Sequence, residues 1–192
     1  MRNKLTSIVV GSMCVAAVMT APGQAQTHGQ PERFNAIAMV NNSRASGAGT
    51  VQIQVTRWSA EAERTQLINV LRSKGAEKLL DVLRDMRPVG TIKTPDSLAY
   101  DLRYAHETAG EDGGRRIVIA TDRPIGFWEA TRAGRTLDYP FTVIQMEIGR
   151  DGKGKGTLSY ATKIIAKDDS IILENFGTQP VMLTEIQSEK GT

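Results

Sequence analysis

An α+β fold built mainly on antiparallel sheet is what this 192-residue sequence predicts, and three observations carry it. Short segments alternate apolar and polar residues with period two, turn-forming clusters separate them, and only one stretch, residues 59–88, keeps helical spacing. The helical stretch reads as a hairpin of two helices inserted after the second strand and covering one face or end of the sheet. The sheet itself could curl toward a barrel or stack as a sandwich, and the pattern leaves both open.

In chain order, residues 33–40 open the folded part and 41–49 (NNSRASGAG) carry turn chemistry. Val51, Ile53 and Val55 then alternate with polar residues, the clearest half-buried strand in the chain. Ser59 is an N-cap candidate, with Glu61 and Glu63 in the first turn where the helix dipole favours them. Leu67, Val70 and Leu71 keep helical spacing up to Gly75, which suits the residue after a helix C-terminus. Leu79, Leu83 and Met86 line a second helix that Pro88 stops.

From there the pattern turns to strand. Residues 89–93 are short, and 99–106 alternate, with Tyr100, Leu102 and Tyr104 expected on one face and Asp101 and Arg103 on the other. Residues 116–121 (RIVIAT) are apolar on both faces, which predicts a central strand, and Pro124 ends it. Residues 127–132 suit one helical turn. Ile144, Met146 and Ile148 share a face, as do Leu158, Tyr160, Thr162 and Ile164 in a long strand over 157–167. Asp168 and Asp169 make a turn into 170–176, and Gly177 to Pro180 turns again before 181–187, so the last third reads as an antiparallel meander.

The first 25 residues stand apart. Arg2 and Lys4 precede an apolar, small-residue run over 8–19, Pro22 and Gly23 break it, and Gly23-Gln24-Ala25 is a small-x-small cleavage triplet. That order is the signature of a secretory signal, and the run is shorter than the ~20 apolar residues a bilayer span needs. The expected organisation is a signal peptide over 1–25, a flexible leader over 26–32, one α+β domain over 33–188 and a tail over 189–192. The mature protein is then secreted or periplasmic, with no transmembrane segment.

Cleavage would also change the chemistry. Cys14, the sole cysteine, lies in the apolar run and leaves with it, which excludes disulfides, a thiolate nucleophile and cysteine-ligated zinc. The whole chain carries 24 basic and 21 acidic residues, and without Arg2 and Lys4 the balance is 22 to 21. With lysine and arginine interspersed among acids, the field that nucleic-acid binding needs is missing.

Few motifs survive a weighing against plainer readings. Gly149-Arg-Asp-Gly-Lys-Gly-Lys-Gly-Thr157 suggests a phosphate loop, but Gly156 stands where serine or threonine is required, and a strand follows instead of a helix. It reads as a hairpin loop whose glycines supply positive φ. His28 falls in the leader, leaving His106 alone, too few histidines for a zinc site. His106 with a distant acid and hydroxyl is the only route to a hydrolase, and no Gly-x-Ser-x-Gly elbow supports it. Glu107, Glu111 and Asp112, or Asp168 and Asp169, could act as paired carboxylates, though loops and turns favour such residues anyway. The densest stretch joins 113–129 to 136–141, where Arg123, Trp128 and Tyr139 could line a pocket for an anionic or aromatic ligand. Against that stands a salt-bridged strand end capped by aromatics.

Arg57-Trp-Ser with Glu63-Arg64, Val89-Gly-Thr-Ile, Tyr100-Asp-Leu-Arg-Tyr, Gly114-Arg-Arg-Ile with Asp122-Arg-Pro-Ile, Asp138-Tyr-Pro-Phe-Thr and Leu173-Glu-Asn resemble an uncharacterised family of small exported bacterial proteins with no assigned activity. The likeness spans about residues 33–186. It implies bacterial export, leaves the Asn41-Asn-Ser43 sequon idle, and carries over no catalytic residue.

The expected function is therefore a non-enzymatic binding protein for a small ligand or an envelope partner, with no catalytic residues, metal or cofactor assigned. Two alternatives remain: a hydrolase using His106 or loop carboxylates, and a structural envelope partner acting through an edge strand such as 181–187.

Overall fold

The computed structural model of the protein describes residues 29–41, 46–94, 98–125, 138, 140–167, 170–175 and 179–190. The segment read as a signal peptide, the helical turn over 127–132 and the Asp168-Asp169 turn lie outside the described residues.

The chain enters the sheet as β1 (Glu32–Asn41) and returns as β2 (Ser46–Val55), then forms α1 (Glu61–Asp85). Eight further strands follow: β3 (Gly90–Lys93), β4 (Tyr100–Leu102), β5 (Tyr104–Ala109), β6 (Arg115–Thr121), β7 (Phe141–Ile148), β8 (Lys153–Lys167), β9 (Ser170–Asn175) and β10 (Val181–Lys190). They make one antiparallel sheet in the order β4-β3-β2-β1-β10-β8-β7-β6-β5, with β9 added on β8. The predicted α+β class, dominated by antiparallel sheet, is the observed one.

The sheet is rolled. β4 and β5 lie at opposite ends of the order, yet Arg103 alone separates them in the chain. On one side of that junction the Val89 N–H donates to the Leu102 carbonyl (2.8 Å), and on the other the Arg103 N–H donates to the Ala120 carbonyl (3.0 Å). The two ends of an open ladder are thus joined through the backbone. A second measure agrees: Glu32 of β1 and Arg115 of β6, with three strands between them in the sheet, stand 2.6 Å apart across the roll.

The concave face forms one core to which every strand except β9 contributes. Phe34, Ile53, Ile92, Leu102, Ile117 and Ile144 are wholly inaccessible there. Burying each such side chain stabilises the fold by about 1.5–3 kcal/mol. Trp58 packs at one end of this core and donates its indole N–H to the Gln30 carbonyl (3.0 Å). The folded part therefore reaches back past the Arg33 boundary expected from the sequence, and β10 runs forward past Ser188 to Lys190.

Two irregularities redirect side chains that simple alternation places together. At Arg103 the strand leaves β3 and joins β6, so Leu102 and Ala105 both face the inner core while Tyr104 turns outward toward α1. Tyr100, Leu102 and Tyr104 do not share a face, because the backbone changes partner between them. In β8, Val143 pairs Ser159 but Phe141 pairs Thr162, one residue too many for regular pairing. This bulge keeps Leu158 and Tyr160 inside and sends Ile164 to the outer cluster, so the expected single face over 158–164 is split in two.

The helical hairpin is realised as one element broken at Gly75, whose φ of 79° and ψ of −176° are open to glycine alone. Leucines from both arms join one cluster on the convex face of the sheet. The N-cap is Ala60, not Ser59: Glu63 accepts the Ala60 N–H (2.8 Å), half of a capping box. Ser59 exchanges two hydrogen bonds with the backbone of Ala105 instead, clamping the helix start onto β5.

The glycine-rich stretch 149–157 also differs from expectation. Only Gly152 of its glycines has a positive φ (76°), in the turn, whereas Gly154 and Gly156 lie within β8. A Cβ at either would stand 2.2–2.3 Å from a carbonyl oxygen of β7, so close strand approach is what requires them. Finally, residues 181–187 are no edge: β10 pairs β1 on one side and β8 on the other. Its inward Val181, Leu183 and Ile186 fit a strand paired on both sides.

Candidate functional site

The convex face of β5 to β9 is covered by α1. In the first arm Leu67 and Leu71, and in the second Leu79 and Leu83, are spaced i, i+4 and point down from the helix onto the sheet. Below them the sheet offers small side chains, Val118 and Ala120 on β6 and Val143 on β7, which leave space the leucines do not fill. The result is a cavity of about 310 Å³ whose walls are mainly aliphatic, closed on the β9 side by Ile171 and Leu173.

Polar groups collect at one end. β5 presents Tyr104, His106 and Thr108 on its outer face, and the pairing sets them in rows across the sheet. Tyr104, Ala120 and Val143 form the apolar row; His106, Val118 and Gln145 form the next. Thr108 lines the cavity beyond them, where the row continues as Arg116 and Glu147, an exposed pair 3.9 Å apart. The Tyr104 and His106 rings stack with centroids 6.1 Å apart and planes 18° from parallel. Burial pushes the Tyr104 hydroxyl up to about 12, so it remains a neutral donor. From α1, Arg64 reaches the same end, where its Nη1 donates to Glu61 Oε1 (2.8 Å). The other oxygen of Glu61 lies 3.6 Å from His106 Nε2.

His106, read from the sequence as an edge residue, is thus at the rim of a cavity beside a carboxylate. A hydrolase would also need a nucleophile. Thr108 lines the same cavity, but its hydroxyl donates to the Arg116 carbonyl (3.5 Å), and among the described residues no hydroxyl is hydrogen-bonded to His106. Among the described residues no three histidine, cysteine or acidic side chains gather for a metal. No described helix is long and apolar enough to cross a membrane.

The residues singled out as a ligand pocket lie elsewhere or beyond view. Arg123 is about half exposed at the end of β6, its Nε 3.9 Å from the buried Asp122, and it does not line the cavity. Trp128 and Tyr139 lie outside the described residues. Asp122 also stands 3.5 Å from Arg103 Nε, and Arg103 Nη1 donates to the Met86 carbonyl at the end of α1 (3.0 Å), so this cluster pins helix to sheet. The loop acid Glu107 has a structural task as well: with Glu32 it grips Arg115 inside one end of the roll. Sequence reasoning missed the cavity's aliphatic walls. The signal was present in 116–121, whose second apolar face, Val118 and Ala120, needs a cover.

Comparison with protein-family models, with curated proteins and with solved structures finds no match to this chain.

Proposed function

We propose that the protein is a non-enzymatic binding protein, exported by its signal peptide, that holds a small and mainly apolar ligand between α1 and the outer face of β5 to β9. The observation that carries this reading is the cavity of about 310 Å³, aliphatic in its walls and polar at one end. Its size falls at the lower end of ligand pockets and is roughly twice that of a protein cavity that takes up benzene. His106 then serves the rim of a binding site, and no bond-breaking step is assigned to it.

The test uses the chain from Gln26 onward and the neutral dye N-phenyl-1-naphthylamine. Dye fluorescence should rise on binding and fall when decanol displaces it. Leu71→Trp, which places an indole in the cavity, should abolish the rise while leaving far-UV circular dichroism unchanged. Dye binding that persists in the folded Leu71→Trp protein would exclude this cavity as the site. Export is checked separately: expressed with residues 1–25 in a bacterium, the protein should accumulate outside the cytoplasm with Gln26 as its first residue by mass spectrometry.

A further inference from the structure

Resting on the ligand reading above, we infer that the ligand is an amphiphile with an aliphatic tail and a carboxylate head, its head lying between Arg64 and His106. The polar residues among the described cavity lining are Arg64, Tyr104, His106, Thr108 and Gln145, and none is acidic. A site of this composition favours an acceptor-rich, negatively charged group and disfavours an ammonium, which would find no carboxylate in the lining to pair with.

Position points the same way. The rows across β5, β6 and β7 pass from Tyr104, Ala120 and Val143 to His106, Val118 and Gln145, so polarity rises along one axis of the cavity. Arg64 approaches the polar end from above. A tail lying under Leu71 and Leu83 would bring its head to that end. The protein already shows the contact: the Glu61 carboxylate, outside the lining, bridges Arg64 at 2.8 Å and His106 at 3.6 Å. Glu61 engages one terminal nitrogen of Arg64, and a guanidinium has five N–H donors, so a second carboxylate can be held from inside.

The experiment compares three ligands with one chain length, decanoate, decanol and decylammonium, by isothermal titration calorimetry at low ionic strength. Decanoate should bind about tenfold more tightly than decanol, the worth of a hydrogen bond to a charged group, and decylammonium more weakly than decanol. Arg64→Gln should bring the decanoate-to-decanol ratio to near one, and Arg64→Lys should keep most of it. Arg150→Gln, which removes a cation from the 149–152 turn, should leave the ratio unchanged. Equal binding of decanoate and decanol, or an Arg64→Gln protein that keeps the full preference, overturns the carboxylate head and leaves the cavity reading standing. If decanol fails to bind as well, both fall.

Discussion

The two faces of the rolled sheet are built from the same aliphatic residues, and they are filled differently. On the concave face the sheet encloses its own core, and Phe34, Ile53, Ile117 and Ile144 are fully sealed by strands on every side. On the convex face the leucines of α1 retain 2–8% exposure, and a cavity remains beneath them. A sheet that closes on itself must interdigitate its side chains to close at all. A helical cover is held at its ends, by the Ser59 clamp, the Gly75 break and the Arg103 contact with Met86, and it can bridge a gap between them. Stability therefore belongs chiefly to the inner face and ligand capacity to the outer one.

The sharpest way to break this comparison is to truncate one residue on each face. Phe34→Ala should cost about 3–5 kcal/mol in urea unfolding, because no neighbour inside the roll can collapse into the space. Leu71→Ala should cost about 2 kcal/mol, since it enlarges a space that already exists and removes fewer contacts. Equal losses would mean that the outer face is packed as tightly as the inner one.

Next in size is the hinge of the cover. Gly75→Ala meets no steric obstacle, since nothing lies within 4 Å of the added Cβ, so its cost is that of the backbone alone. A φ of 79° with ψ near 180° is costly for any side chain, and about 2 kcal/mol should be lost. The loss should come with altered dye binding, because the angle between the arms sets the cavity roof. Loss of stability with dye binding intact would show that the arms are held by the sheet rather than by Gly75.

Much of this fold was legible because period and punctuation are local. Val51, Ile53 and Val55 face inward as alternation predicts, and so do Ile144, Met146 and Ile148. Gly75 breaks the helix where its lack of a side chain suggested it would. What escaped depends on partners distant in sequence. The exchange at Arg103 from β3 to β6 and the extra residue in β8 carry no composition signal, yet each inverts the facing of the residues after it. The cavity escaped for the same reason: Leu71, Ala120 and Ile164 meet only once the sheet has rolled and the helix has docked. His106 was singled out, but its surroundings, Glu61 and Arg64 on another element, were beyond any local pattern.

The smallest effect tests a polar exception within the sealed face. Glu32 begins β1 on the same inward row as Phe34 and is only 3% exposed. Burial alone would raise its carboxyl, but hydrogen bonds from Arg115 and Ser188, with the Arg115 charge, outweigh that and hold it below its ordinary value of 4.5. Both oxygens engage Arg115, at 2.6 and 2.8 Å, while Glu107 takes the same guanidinium from the other side at 2.8 Å. Glu32→Gln keeps the shape and loses the charge, and Glu107 still holds Arg115, so the loss at neutral pH should be about 1–2 kcal/mol. A carboxyl depressed by folding stabilises the native state above its unfolded value and ceases to do so as pH falls through the folded one. The gap between the two proteins should therefore be constant above about pH 5, near the ordinary glutamate value, and close in more acidic solution as Glu32 takes up its proton. Urea unfolding from pH 7 down to pH 3 measures this. A gap that stays open in acid would show that the carboxylate charge is not what ties β1 to β6, and that the roll is closed at this end by shape alone.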